Sequence, residues 1–260
     1  MQTVLIFGAS SGIGKETGKR FYENGYKVFN ASRTEAGDIA LTDIRCDVTR
    51  PDDVERAVST AAAYTGQLDY MIYSAGVSMA APIEYAREAD WRYLFEVNFF
   101  GFVRAVRAAL PCMRDGGRIL AVGSVAGTVP VPFDSWYSAS KAALDMFIRA
   151  ANFEVNEKGI YLTSVRAGGT ATEFTFKRTI YSPEEAAEYD EKLKKAVTAL
   201  AAIEQGGMSP QSVAETVYDC ALHKTEPETT VGFVNAAYSA AERWLPDKVT
   251  DFFIRERYFQ

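Results

Sequence analysis

Thr3-Val4-Leu5-Ile6-Phe7-Gly8-Ala9-Ser10-Ser11-Gly12-Ile13-Gly14 decides the fold. The first five residues are an apolar, partly β-branched run that reads as a buried strand, and a helical pattern follows from Lys15 to Asn24. Strand, glycine loop and helix in that order place unpaired N–H groups and the positive end of a helix dipole where a phosphate can approach closely. The spacing is Gly-x3-Gly-x-Gly rather than the commoner Gly-x-Gly-x2-Gly. It still predicts a dinucleotide cradle made by Gly8, Ser10, Ser11, Gly12, Ile13 and Gly14.

Working outward, strands and helices alternate. Tyr26–Ser32, Thr42–Cys46, Leu68–Tyr73, Gly117–Gly123 and Ile160–Arg166 read as further strands, and Thr229–Val234 as a seventh. Helical spacing fills most of the gaps, notably Pro51–Tyr64 and Asp90–Leu110. Such alternation predicts an α/β fold with a doubly wound parallel sheet of about seven strands, whose ligands gather at the strands' carboxyl ends. Gly8, Arg33, Ser74-Ala75-Gly76 and Ser124 all fall at such ends. Only nine residues, 33–41, separate the second and third strands, so any crossover helix there is very short or nearly absent. With no linker, repeat or low-complexity stretch, residues 1–260 form a single domain. Within it, residues 173–207 are expected to be a mobile substrate lid hinged at Gly206-Gly207, and 236–260 an amphipathic C-terminal extension packing on the body or a neighbouring subunit.

Composition narrows the function. A net charge of -6 leaves no electrostatic footprint for nucleic acid. Cys46, Cys112 and Cys220 are widely spaced, which argues against a disulfide framework or a thiolate metal site and suits a reducing interior. The leading apolar run is too short for a signal core or a membrane span, and the chain is read as cytoplasmic. The single histidine, His223, sits at a polar helix end and rules out a multi-histidine metal site, so no metal is expected.

Chemistry is carried by Tyr137-Ser138-Ala139-Ser140-Lys141. On a helix, residues four apart share a face, so Tyr137 and Lys141 point the same way. A free phenol titrates near about 10, too high for acid–base work at neutral pH. An ammonium about 4 Å away supplies roughly 4 kcal/mol at an effective dielectric of ~20, enough to lower it. Asn98 lies among Val97, Phe99, Phe100 and Phe102, where its amide needs a buried partner, whether functional or a neighbouring carbonyl. The second strand ends in Ser32-Arg33, where an acidic residue would favour NAD and an arginine accommodates the 2′-phosphate of NADP(H). Asp47 reads either as an adenine contact or as a helix cap.

Taken together, the Gly8-x3-Gly12-x-Gly14 turn, Asp47-Val48, Ser74-Ala75-Gly76, Asn98, Ser124, Tyr137-x3-Lys141 and Gly168–Thr172 resemble the short-chain dehydrogenase/reductase family over essentially the whole chain. The resemblance implies a Rossmann-type fold and an Asn98-Ser124-Tyr137-Lys141 catalytic tetrad working with a nicotinamide cofactor. Tyr137 would be the acid–base group, Ser124 would bond the carbonyl oxygen, Lys141 would hold the nicotinamide ribose, and Asn98 would hold a water linking Lys141 to solvent. The cofactor set it implies is the glycine turn, Ser32, Arg33, Asp47, Val48, Ser74, Ala75, Gly76, Tyr137, Lys141, Gly168, Thr170 and Thr172. A homodimer or homotetramer is implied by the same resemblance.

The family's Asn-Asn-Ala-Gly stands here as Tyr73-Ser74-Ala75-Gly76, and its Pro-Gly after the sixth strand as Ala167-Gly168. Gly123–Gly127, Pro132-Phe133 and Trp244-Leu245-Pro246 look like the hydroxysteroid and retinol dehydrogenase branch. Val77, Met79, Val131, Phe133, Phe174 and Phe176 are expected to wall an apolar substrate site. The expected function is NADP(H)-linked, reversible reduction of a ketone on a hydrophobic skeleton such as a hydroxysteroid. A sugar/polyol or 3-oxoacyl reductase and a catalytically silent nucleotide sensor are the alternatives.

Overall fold

The computed structural model describes residues 1–181, 187–223 and 226–259. In chain order the elements are β1 (Thr3–Phe7), α1 (Gly12–Glu23), β2 (Lys27–Ser32), β3 (Thr42–Arg45), α2 (Pro51–Ala62), β4 (Leu68–Tyr73) and β5 (Met79–Ala80). There follow α3 (Glu88–Phe95), a π-helical turn (Glu96–Phe100), α4 (Gly101–Ala109), β6 (Met113–Ser124), α5 (Ser135–Val155), β7 (Tyr161–Ala167) and β8 (Thr179–Ile180). The chain continues with α6 (Asp190–Gln205), α7 (Pro210–His223), β9 (Glu228–Thr230), α8 (Phe233–Trp244) and α9 (Asp247–Phe259).

Seven strands form one parallel sheet in the order β3-β2-β1-β4-β6-β7-β9. The order reverses between β1 and β4, which opens a crevice above their carboxyl ends. Both faces of the sheet are covered, so β1 is apolar throughout rather than alternating. Leu5 and Phe7 pack toward α2, α4 and α5, while Val4 and Ile6 pack toward α1 and α7. The single, doubly wound α/β architecture is therefore as expected.

Several local expectations are corrected. No helix joins β2 to β3: Lys15 Nζ donates to the Ala36 carbonyl at 2.9 Å and the Ala36 amide to Asp43 at 3.0 Å, so this short link is pinned onto α1 and β3. The long helical pattern around Asn98 is broken by the π-turn, where an added residue widens the helix. β9 ends at Thr230 rather than Val234, because Gly232 at φ +80° turns the chain into α8. β5 and β8, unforeseen, make a separate two-stranded parallel sheet.

Within the expected lid, α6 ends at Gly206, and Met208 is stitched to Gly169 and Ala171 by backbone bonds of 2.9 and 3.0 Å. Residues 182–186 of that segment lie outside the described residues, as do 224–225 beside His223 and the terminal 260. His223 is the last residue of α7. The C-terminal extension is α8 and α9, separated at Leu245-Pro246. Among the described residues no helix is long and apolar enough to cross a membrane, and no group of three His, Cys, Asp or Glu gathers as a metal site.

Candidate active site

One cavity of about 1300 Å³ runs across the carboxyl ends of the sheet. At its first end lies the glycine turn. Gly8 sits at φ +88°, and a Cβ there would lie 2.5 Å from the Ala75 amide nitrogen, so only glycine lets β1 and β4 close here. A Cβ on Gly14 would lie 2.3 Å from the Gly8 carbonyl, which holds α1 tight under the turn. Ser11 is the N-cap of α1, yet its side chain makes no capping bond, which leaves the first helical amides facing the cavity. Gly8, Ser10, Ser11, Gly12 and Ile13 line the cavity; Gly14 is buried behind them.

The turn is ordered by a residue that sequence reading passed over. Asn30, fully buried on β2, accepts from the Ala9 amide at 3.0 Å and the Ser32 hydroxyl at 2.6 Å, and donates to Asp43 at 2.7 Å. An amide inside an apolar strand was the available signal, since such a group must be satisfied. Ser32, Arg33, Asp47 and Val48 also line the cavity. The exposed Arg33 is steadied by the Tyr93 hydroxyl at 2.9 Å. The cap reading of Asp47 is not realised: the N-cap of α2 is Arg50, and Asp47 instead accepts from the Thr49 amide and hydroxyl at 2.9 and 2.8 Å, which orders the turn before α2 while Asp47 stays at the cavity wall.

Ser74, Ala75 and Gly76 line the middle of the cavity, but the preceding Tyr73 does not. Its ring is buried against Phe7 and Phe102, and its hydroxyl donates to the Val97 carbonyl at 2.5 Å. A Cβ on Gly101 would meet that hydroxyl at 2.2 Å, so Tyr73 and Gly101 fit as a pair beneath the π-turn. The residue standing in the family's amide position thus braces the helix and turns away from the cavity.

That turn presents Asn98, fully buried, to the backbone of Val77: its oxygen accepts from the amide at 2.8 Å and its nitrogen donates to the carbonyl at 2.9 Å and to Ser140 Oγ at 3.1 Å. Asn98 does not line the cavity. Its amide finds the neighbouring-carbonyl partner, and the Lys141 ammonium reaches instead to the Val122 carbonyl at 2.9 Å.

Ser124, Tyr137 and Lys141 meet at the cavity's centre. Ser124 caps the turn after β6 by accepting from the Ala126 amide at 3.1 Å, and its nearby hydroxyl pulls the pKa of the Tyr137 phenol down. Lys141 Nζ lies 5.6 Å from the Tyr137 ring centroid. The electrostatics differ from the expectation that the ammonium dominates. Burial, reinforced by Asp134, outweighs Ser124 and holds the phenol well above its ordinary pKa. Burial also lowers Lys141 to about 8, opposed by Asp145, because the enclosed ammonium has little solvent to stabilise its charge.

Gly168, Thr170 and Thr172 close the cavity opposite the glycine turn, with Thr172 against Gly12. Of the six expected substrate-wall residues, Val77, Val131 and Phe174 line the cavity, with Phe174 5.9 Å from the Tyr137 ring. The other three do not. Met79 is buried in a core with Leu94 and Tyr181. Phe133, at φ +63°, directs its ring to Tyr189 and Phe259. Phe176 is 77% exposed. In their place α6 supplies Leu200 and Ile203, the break after α8 supplies Leu245, and α9 supplies Phe253 and Ile254. Asp134 and Glu204 also reach this end, unmarked by any sequence pattern.

The comparisons agree with this geometry. Residues 2–180 match the short chain dehydrogenase family. The chain is 30% identical to a 3-ketodihydrosphingosine reductase of Bacteroides thetaiotaomicron over 98% of its length and 97% of that protein. It is 32% identical to human retinol dehydrogenase 8 over 68% of its length and 61% of that protein. The fold is similar to a short-chain dehydrogenase from Streptomyces avermitilis, with a TM-score of 0.79 and 25% identity, covering 100% of this chain and 99% of that one. A parallel sheet with a glycine cradle at its switch point, and a Ser124-Tyr137-Lys141 centre beside it, make this chain an oxidoreductase of the short-chain dehydrogenase family.

Proposed function

We propose that the enzyme reduces a ketone to a secondary alcohol on a long apolar substrate, with NADPH as the reductant. The observation that carries this reading is the Tyr137 phenol, beside Ser124 and raised in pKa by burial, at the centre of a cavity whose far end is walled by Leu200, Ile203, Phe253 and Ile254. A phenol held above its ordinary pKa keeps its proton at neutral pH, which is the form a general acid requires.

The glycine turn, Asp47, Val48, the Ser74-Ala75-Gly76 stretch, Gly168, Thr170 and Thr172 would hold the cofactor along the first half of the cavity. The uncapped N–H groups of α1 suit its diphosphate, and Arg33 suits a 2′-phosphate. When bound, the reduced nicotinamide supplies the hydride. Ser124 Oγ donates to the carbonyl oxygen and fixes it beside Tyr137, and the Tyr137 hydroxyl gives that oxygen its proton as the carbonyl carbon becomes a secondary alcohol carbon. Lys141, anchored through Val122 and 5.6 Å from the centre of the Tyr137 ring, would hold the nicotinamide ribose through its remaining N–H groups. Asn98 positions: by clamping both sides of the Val77 peptide it sets the loop that follows Gly76.

A long-chain keto lipid is favoured as substrate because the resemblance to the ketodihydrosphingosine reductase extends over nearly the whole chain, including the α6–α9 region that walls the substrate end. A hydroxysteroid or retinoid is the second reading, supported by relatives that match about two thirds of the chain. NADPH consumption over a panel of long-chain, steroid, sugar and 3-oxoacyl ketones tests the proposal. Tyr137→Phe is expected to lower kcat by about 10³-fold or more, in line with loss of an acid and its ordered contacts. Arg33→Ala is expected to raise the KM for NADPH by about tenfold or more and to leave that for NADH nearly unchanged. Full activity in the Tyr137 variant would remove the phenol from the reaction, and equal losses with both cofactors would refute the 2′-phosphate assignment.

A further inference from the structure

Four side chains from distant parts of the chain meet at the substrate end of the cavity: Ser78, Asp134, Arg178 and Glu204. Arg178 is buried, with its side chain only 1% exposed, and donates through Nε to Ser78 at 2.9 Å and through Nη2 to Glu204 Oε1 at 2.6 Å. Asp134 is 3% exposed, makes no capping bond to the helix it precedes, and is reached by the Ser78 hydroxyl at 3.3 Å. The second oxygen of Glu204 is buried without a hydrogen-bond partner. Both carboxylates line the cavity.

One guanidinium therefore serves two enclosed carboxylates, and it spends its Nε on a serine. Burial answers by pushing Asp134 up to about 7, because Arg178, bonded to Ser78 and Glu204 and not to Asp134, only partly offsets the cost of enclosing the charge. Asp134 also precedes Tyr137 by three residues at the start of α5, which puts it on the face of the helix that bears the phenol. Asp134 and Tyr137 line the same end of the cavity, and the Asp134 charge is felt at the phenol, so a cationic group satisfying Asp134 would belong to the same ligand as a carbonyl held at Tyr137.

We infer that the substrate carries a primary ammonium beside its ketone and that Asp134 and Glu204 receive it. The inference rests on the ketone-reductase reading above and narrows its substrate class to an α-amino ketone on an apolar chain. The ammonium supplies three donors, enough for Asp134, the unpartnered oxygen of Glu204 and one further acceptor. The hydrocarbon then runs along Leu200, Ile203, Leu245, Phe253 and Ile254 toward solvent.

The test compares two long-chain ketones of equal length, a 2-amino-3-ketone and the same ketone without nitrogen, by NADPH consumption near neutral pH. The wild-type enzyme is expected to prefer the amine by about 10- to 100-fold in kcat/KM, as for a charge-assisted hydrogen bond. Asp134→Asn and Glu204→Gln are each expected to shrink that ratio toward one, chiefly through the KM for the amine. Equal use of both ketones by the wild type, or an unchanged ratio in both variants, overturns the inference while leaving the ketone-reductase reading in place. No reduction of either ketone overturns both. The wild-type comparison needs no variant to fold, so instability of Asp134→Asn does not blunt the test.

Discussion

Two buried clusters in this chain are built from the same residue types, a serine, an arginine, an aspartate and a glutamate, and they are finished differently. In the first, between α5 and the edge of the sheet, Asp145 accepts from Ser164 at 2.5 Å and from Arg166 Nε at 2.7 Å, while Arg166 Nη2 pairs with Glu228 at 2.8 Å. Arg149 approaches Glu228 at 3.8 Å, so two guanidiniums face two carboxylates. In the second, Arg178 gives its Nε to Ser78, and Asp134 keeps one long bond. Burial raises the pKa of both aspartates, yet only Asp134 lines the cavity. Charge matching ties α5 to β7 and β9 in one case; in the other, the missing cation is left for a ligand to bring.

The comparison breaks first at Arg166. Arg166→Met strands Asp145 and Glu228 in the interior and is expected to cost roughly 3–5 kcal/mol of stability, read from urea unfolding. An unchanged midpoint would mean that the first cluster braces nothing.

The second cluster is expected to respond with the opposite sign. Because folding raises the pKa of Asp134 from 3.8 to about 7, the fold favours its protonated form. Stability from this group is complete below the ordinary carboxylate pKa and is lost as the pH rises to about 7. Asparagine does not titrate, so Asp134→Asn should match the wild type in acid and become more stable by up to roughly 4 kcal/mol above neutrality. Melting temperatures of both proteins across that range check the sign, and a variant that falls below the wild type as the pH rises would show that the fold stabilises the Asp134 charge. The smallest contrast is at the serines: Ser164→Ala should cost about 2 kcal/mol for a short bond to a charged acceptor, and Ser78→Ala less than about 1 kcal/mol. Equal costs would erase the distinction between the clusters.

The half of the cavity around the glycine turn was legible because local rules build it. A strand, a glycine turn and a helix are neighbours in sequence, so Gly8 and Gly12 announce the cradle directly, and Tyr137 and Lys141 share a helix face by spacing alone. The substrate half was not. Met79, Phe133 and Phe176 have the apolar character of a pocket wall, but β5–β8 pairing buries the first, a left-handed backbone turns the second aside and solvent takes the third. Asn98 was legible as a buried amide in need of a partner, whereas its choice of Val77 depends on a π-turn held from below by Tyr73.

Hydrophobic period, glycine spacing and helix-face geometry act over a few residues, and by themselves they determined the doubly wound sheet, its glycine turn and the central tyrosine and lysine. Only the tertiary structure decided which charges share the interior, because Ser78, Asp134, Arg178 and Glu204 are brought together by long-range packing that no local pattern records. It also set the pKa of the Tyr137 phenol and the Lys141 ammonium, since that depends on how much solvent the assembled cavity excludes from each.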